Sequence, residues 1–101
     1  MIEVRQTGDA DPLSFEVTVG EGNGQTRHQV TLSRADYERF ASGPCTPERC
    51  IEAAFRFLLD REPKEAILPS FDVSVISRYF PEFEAELPRY IASSSAAGDG
   101  A

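Results

Sequence analysis

The chain has no tryptophan, a single histidine, a single methionine and only two cysteines. Each scarcity excludes something. A tetrahedral zinc site needs four ligands, and one histidine with two cysteines supplies three. Cys45 and Cys50 are separated by four residues, which is neither a zinc-ribbon nor a dithiol-redox spacing. No apolar run approaches the roughly 20 residues of a membrane-spanning helix, and the N-terminus turns polar within three residues, so no export leader is expected. Two cysteines without such a leader point to a reduced, cytoplasmic protein. Positive charge is scarce as well. Ten Lys and Arg stand against seventeen Asp and Glu, a formal net charge of −7. General attraction to nucleic acid or to an anionic membrane is therefore not expected. The deficit is uneven: residues 1–26 carry −4, residues 27–49 carry +1, and residues 50–101 carry −4.

What is present is a strongly apolar stretch, Thr46 to Arg61. Its polar residues Glu48, Glu52, Arg56 and Asp60 fall four apart, which places them on one narrow stripe of a helix. From Cys50 to Leu59 every other position is apolar, namely Cys50, Ile51, Ala53, Ala54, Phe55, Phe57, Leu58 and Leu59, so the helix must be covered on most sides. Thr46 suits the N-cap, Pro47 the first helical position, and Pro63 ends the pattern.

The rest reads as a cover for this helix. Residues 2–5 alternate as a short strand, and Asp9 to Pro12 is a turn-rich break. Leu13, Phe15, Val17 and Val19 alternate with polar residues as a second strand, and residues 25–32 form a third. Asn23-Gly24 between them is a strong hairpin signal. With those two residues as the loop, Val19 faces His28, Val17 faces Val30, and Phe15 faces Leu32, so that all the apolar residues fall on one face. Ser33 with Asp36 approximates a capping box for a helix over 34–42, ended by Gly43-Pro44, with Tyr37, Phe40 and Ala41 inward. One or two helical turns are expected over 64–68. Phe71, Asp72 and Ile76 repeat the staple-and-cap spacing, and Val75, Ile76, Tyr79 and Phe80 form an apolar helical face. Phe83, Leu87, Tyr90 and Ile91 continue a stripe that Pro88 should break or kink. Residues 93–101 are small, polar and glycine-rich, a disordered tail by composition. The expected architecture is one α+β domain over 1–92: an N-terminal antiparallel sheet with the hairpin 13–19/25–32, then about four helices around the central helix 46–61.

Chemistry-bearing residues each have an ordinary structural account. Cys45 and Cys50 occupy hydrophobic-staple positions around the Thr46 cap. His28 falls on the inward face of its strand, with no activated nucleophile nearby in sequence. Glu82, Glu84 and Glu86 lack the surroundings of a calcium loop, and Gly20, Gly22 and Gly24 are not followed by the helix a phosphate site uses. No catalytic, metal or cofactor-binding residue is assigned, and no cofactor or enzymatic activity is expected.

Two resemblances add to this reading. Residues 55–82, from Phe55-Arg56-Phe57-Leu58-Leu59-Asp60-Arg61-Glu62-Pro63 through Phe71-Asp72-Val73-Ser74-Val75-Ile76 to Glu82, resemble a group of small prokaryotic proteins of unassigned function. The strand, helix, turn and helix of 27–61 resemble, more partially, the ribbon-helix-helix DNA-binding modules. That family pairs two such strands across a dimer and sets their outward side chains in the major groove. The resemblance would give Arg27, Gln29 and Thr31 that role, and Arg and Gln are common base readers. Here, however, the strand is already half of a hairpin, Glu16 shares its outward face, and Glu48 stands where that family contacts phosphate.

The expected function is accordingly a small cytoplasmic, non-catalytic module that binds another protein or itself, with a homodimer as one form. Tyr79, Phe80 and Phe83 are the expected interface, because aromatic residues are enriched at interfaces. The alternative is a ribbon-helix-helix-like DNA-binding regulator contacting DNA through Arg27, Gln29 and Thr31.

Overall fold

Alternating apolar and polar residues make the first third of the chain a sheet. The computed structural model describes residues 1–21, 24–40 and 45–99, with only the backbone of residue 21 and of 93–99. Strands β1 (Ile2–Gly8), β2 (Leu13–Glu21) and β3 (Gly24–Leu32) form an antiparallel meander. Leu13, Phe15, Val17 and Val19 of β2, with His28, Val30 and Leu32 of β3, are buried on its inner face. The outer face is polar: Arg5, Glu16 and Gln29 lie in line across three strands, and Arg5 pairs with Glu16 at 2.7 Å.

The hairpin register differs from the expected one by two residues. Val17, not Val19, stands opposite His28, Phe15 opposite Val30, and Leu13 opposite Leu32; Glu21 and Gly24 are the last pair. The expected loop residue Asn23 lies outside the described residues, while Gly24 is paired within β3. A two-residue shift preserves which face every side chain occupies, so the alternation that fixes the faces cannot choose between the registers. The observed one adds Leu13 against Leu32, and it uses Gly20, whose φ of 125° is open to glycine alone.

The sheet is mixed rather than purely antiparallel. A three-residue strand β4 (Ser70–Asp72) pairs parallel to β3, matching Gln29 with Ser70, Val30 with Phe71 and Thr31 with Asp72. The strand order is β1-β2-β3-β4.

Helices cover the inner face. Helix α1 (Arg34–Phe40) begins at Ser33, whose hydroxyl accepts from the Asp36 N–H at 3.0 Å; its expected stop at Gly43-Pro44 lies outside the described residues. Helix α2 (Pro47–Leu59) is the central one. Thr46 caps it by accepting from the Arg49 N–H, and Cys50, Ile51, Ala53, Ala54, Phe55, Phe57 and Leu58 are buried along it. Its polar stripe carries a Glu52–Arg56 ion pair at 3.1 Å. The 3-10 turn Lys64–Ala66 follows, then β4, a second 3-10 turn Val73–Val75, the short helix α3 (Ile76–Tyr79) and α4 (Phe83–Asp99).

Of the break or kink expected at Pro88, helix α4 shows no break: it runs through that residue. Proline removes only the bond to Glu84, one turn from the helix start, while Phe83, Leu87 and Ile91 are all buried and anchor the helix on both sides of it. The backbone of α4 is helical to Asp99.

Candidate functional site

Where α2 ends, the chain turns back through Lys64–Ala66 and β4 into α3, and these pieces do not close on one another. They leave an open apolar groove of about 200 Å³. Its floor is buried: Leu58 from α2, Ile67, Phe71 from β4 and Ile76 from α3. Its lips are Leu68 and Tyr79, 44% and 68% exposed, and Val75 and Phe80 complete the α3 wall. Glu62 is the one charged residue in the lining. Its side chain has no hydrogen bond or ion pair among the described residues, whereas Arg61 pairs with Glu82 at 3.1 Å and Lys64 with Glu65 at 2.9 Å.

The three expected interface residues divide here. Tyr79 is a lip of the groove. Phe80 is half-buried in its wall and packs edge-on to Phe57, with ring centres 5.8 Å apart. Phe83 must be corrected: it is 0% exposed, a core residue lying edge-on to Phe57 at 5.0 Å and to Phe40 at 5.7 Å. The first turn of α4 carries it inward, against α2, so it offers no surface. Leu68, Glu62, Ile67 and Phe71 were not expected at a site. The apolar run Ala66-Ile67-Leu68 ahead of Pro69 carries a faint signal, but only the β3–β4 pairing folds it against α3.

The outward face of β3 borders an open depression of about 650 Å³, lined almost wholly by polar residues rather than apolar ones. Arg27 is exposed among Glu3, Arg5, Glu16 and Thr18. Gln29 donates to Glu16 at 3.5 Å, and the Thr31 hydroxyl donates to Asp72 at 2.6 Å. Thus carboxylates share this face with all three. The edge of β3 at 29–31 is occupied by β4, so the strand-to-strand dimer of a ribbon-helix-helix module has no free edge there.

His28, the two cysteines and the three carboxylates at the start of α4 are each buried or partnered. His28 is 2% exposed; its Nδ1 meets the Leu68 carbonyl at 2.7 Å and its Nε2 the Thr26 hydroxyl at 2.9 Å. It faces Val17, on the inward side of β3. Burial, with Cys45 adding to it, pushes the Cys50 thiol up to about 12, and burial raises Cys45 as well. Such thiols carry almost no thiolate near neutrality and are poor nucleophiles and poor metal ligands. The Glu82, Glu84 and Glu86 carboxylates are each paired, with Arg61, Arg39 and Arg89. Among the described residues, no three His, Cys, Asp or Glu side chains converge on a position that would hold a metal ion. No helix among them is long and apolar enough to cross a membrane. The chain matches no protein-family model, no curated protein and no solved structure.

Proposed function

We propose that this chain is a small, non-catalytic protein-binding module of the cytoplasm that engages its partner through the groove between α2, β4 and α3. One observation carries the reading: Leu68 and Tyr79 stand exposed on either side of an apolar groove whose floor is already core. Large apolar side chains at a rim with an apolar floor mark interaction surfaces. At about 200 Å³ the groove is smaller than the roughly 300–1,000 Å³ sites that enclose small molecules, and it suits an anchoring side chain better than a cofactor. The paired carboxylates, the hydrogen-bonded His28 and the protonated thiols favour a non-catalytic role. The DNA-binding alternative has less support, because β4 occupies the edge of β3 and acidic residues share the face of Arg27, Gln29 and Thr31.

A photo-crosslinking residue at position 79, compared with one at the exposed Thr7 on β1 at the opposite edge of the sheet, tests the reading in cells. A discrete protein adduct from position 79 alone, lost when Leu68 is changed to Asp, is the expected result. No adduct from position 79, or equal adducts from both, would overturn it.

A further inference from the structure

The groove's charges point to its occupant. Segment 61–82, which builds most of the groove, carries three cations, Arg61, Lys64 and Arg78, against four acids, Glu62, Glu65, Asp72 and Glu82. It contributes −1 of the chain's −7, so this is a nearly neutral patch on an acidic protein. A surface selected for a basic partner would be expected to concentrate acid, and one selected for an acidic partner to concentrate base. This patch does neither. Arg61, Lys64, Glu65 and Glu82 pair within it, and Asp72 accepts from Thr31 and from the Ser74 N–H. One charge of each sign is left over. Among the described residues, the side chains of Glu62 in the lining and of the exposed Arg78 beside Tyr79 have no hydrogen-bonding or ionic partner.

A surface with an apolar groove, its own protruding lip and one unused charge of each sign is complementary to itself. We infer that the occupant of the groove is a second copy of this chain, docked about a two-fold axis, with Tyr79 of each copy against the other's groove and Arg78 of each paired with Glu62 of the other. In a two-fold interface, if residue i meets residue j then j meets i, so a single Arg–Glu pair is made twice. Local near-neutrality matters for the same reason: two copies at −7 repel one another, and contact is least opposed where each surface is close to neutral. The inference rests on the groove being the binding site and adds the identity of the partner.

Sedimentation equilibrium across a concentration series, at low and at physiological salt, provides the test. Glu62→Arg, Arg78→Glu, the double exchange and Tyr79→Ser are compared with the native chain, with circular dichroism confirming each fold. The native chain should form dimers. Each single reversal should raise the dimer dissociation constant by about tenfold or more, because it replaces two attractions with two repulsions. The double exchange should return it to within about threefold of native, since the pairs re-form with their signs swapped. Tyr79→Ser should abolish the dimer. A chain that stays monomeric to about 1 mM, a dimer indifferent to both reversals, or weakening without rescue by the exchange would each overturn the inference. The crosslink from position 79 separates the two levels. An adduct with a different protein keeps the groove as the binding site and removes the second copy from it, while no adduct and no dimer removes both.

Discussion

The imidazole of His28 and the backbone carbonyl of Leu68, forty residues apart, are joined by a 2.7 Å hydrogen bond. A carbonyl only accepts, so Nδ1 carries a proton, and Nε2 meets the Thr26 hydroxyl, which can donate or accept, at 2.9 Å. Both ring nitrogens are thereby partnered, and the ring packs against Phe55 with ring centres 5.4 Å apart. Just beyond, the Gln29 N–H donates to the Pro69 carbonyl at 2.8 Å, and β4 begins. His28 therefore fixes the segment that carries Leu68 to the lip of the groove.

Replacing His28 with Phe keeps a buried ring but leaves the Leu68 carbonyl and the Thr26 hydroxyl without this partner. We expect a loss of about 1–3 kcal/mol, the cost of unsatisfied buried polar groups. Urea denaturation gives the total, and amide exchange in Ser70–Asp72 locates it. An unchanged midpoint with native protection in β4 would show that the hydrogen bond holds nothing.

Phe83 is placed to matter for folding and not for association. Its ring is wholly buried between Phe40 and Phe57. Phe83→Ala should cost about 3–5 kcal/mol, as other large-to-small core changes do. A denaturation midpoint close to native would return Phe83 to the surface.

The sequence reveals faces more readily than partners. The sheet's faces were legible because strand alternation has period two, and the same property hid the hairpin register, since a shift from Val19 to Val17 opposite His28 changes no face. The burial of α2 was legible because its polar residues lie on one stripe. β4 was not: three residues are too few for a period, and Phe71-Asp72 also fits the start of a helical turn, which it is, since Asp72 caps Val73–Val75 while pairing with Thr31. Tyr79 and Phe83 are both aromatic residues on helical stripes, and only the way α3 leads into α4 decides that one faces out and the other in. Glu62 carried no signal, because an unpaired carboxylate is recognised only once its neighbours' partners are known.

Asp72 makes stability depend on acid. Partial burial pushes its carboxyl up, but hydrogen bonds from the Thr31 hydroxyl and from Ser74 outweigh burial and hold it below its ordinary value near 3.8. A carboxyl lowered on folding stabilises above its unfolded value, and that contribution is lost as pH falls through the lower folded value. The native chain should therefore lose stability below about pH 4. Asp72→Asn still offers an oxygen to Ser74 and Thr31, and should flatten part of that acid decline while leaving the profile between about pH 6 and 8 unchanged in slope. Melting temperatures across the range decide it, and parallel native and variant curves in acid would remove Asp72 from the account.

Gly20 bears on whether the hairpin can close at all. Its φ of 125° lies where side chains are strained, and its N–H donates to the Met1 carbonyl at 2.9 Å, so it ties β1 to β2 as well. A Cβ added there would lie 2.0 Å from the Gly24 carbonyl oxygen, a backbone atom that moves only if the β2–β3 pairing moves. Gly20→Ala thus combines strain of about 1–3 kcal/mol with a clash that local adjustment cannot relieve, and should destabilise by more than about 2 kcal/mol. Gly8 is the matched control. Its φ is not positive, and a Cβ there would meet Ser14 at an ordinary 3.5 Å. Gly8→Ala should be neutral or stabilise by about 0.4–1 kcal/mol through the lower entropy of the unfolded chain. Equal midpoints for the two variants in urea would mean that Gly20 is free of the strain its backbone angle implies, and that the two-residue shift of the hairpin has some other cause.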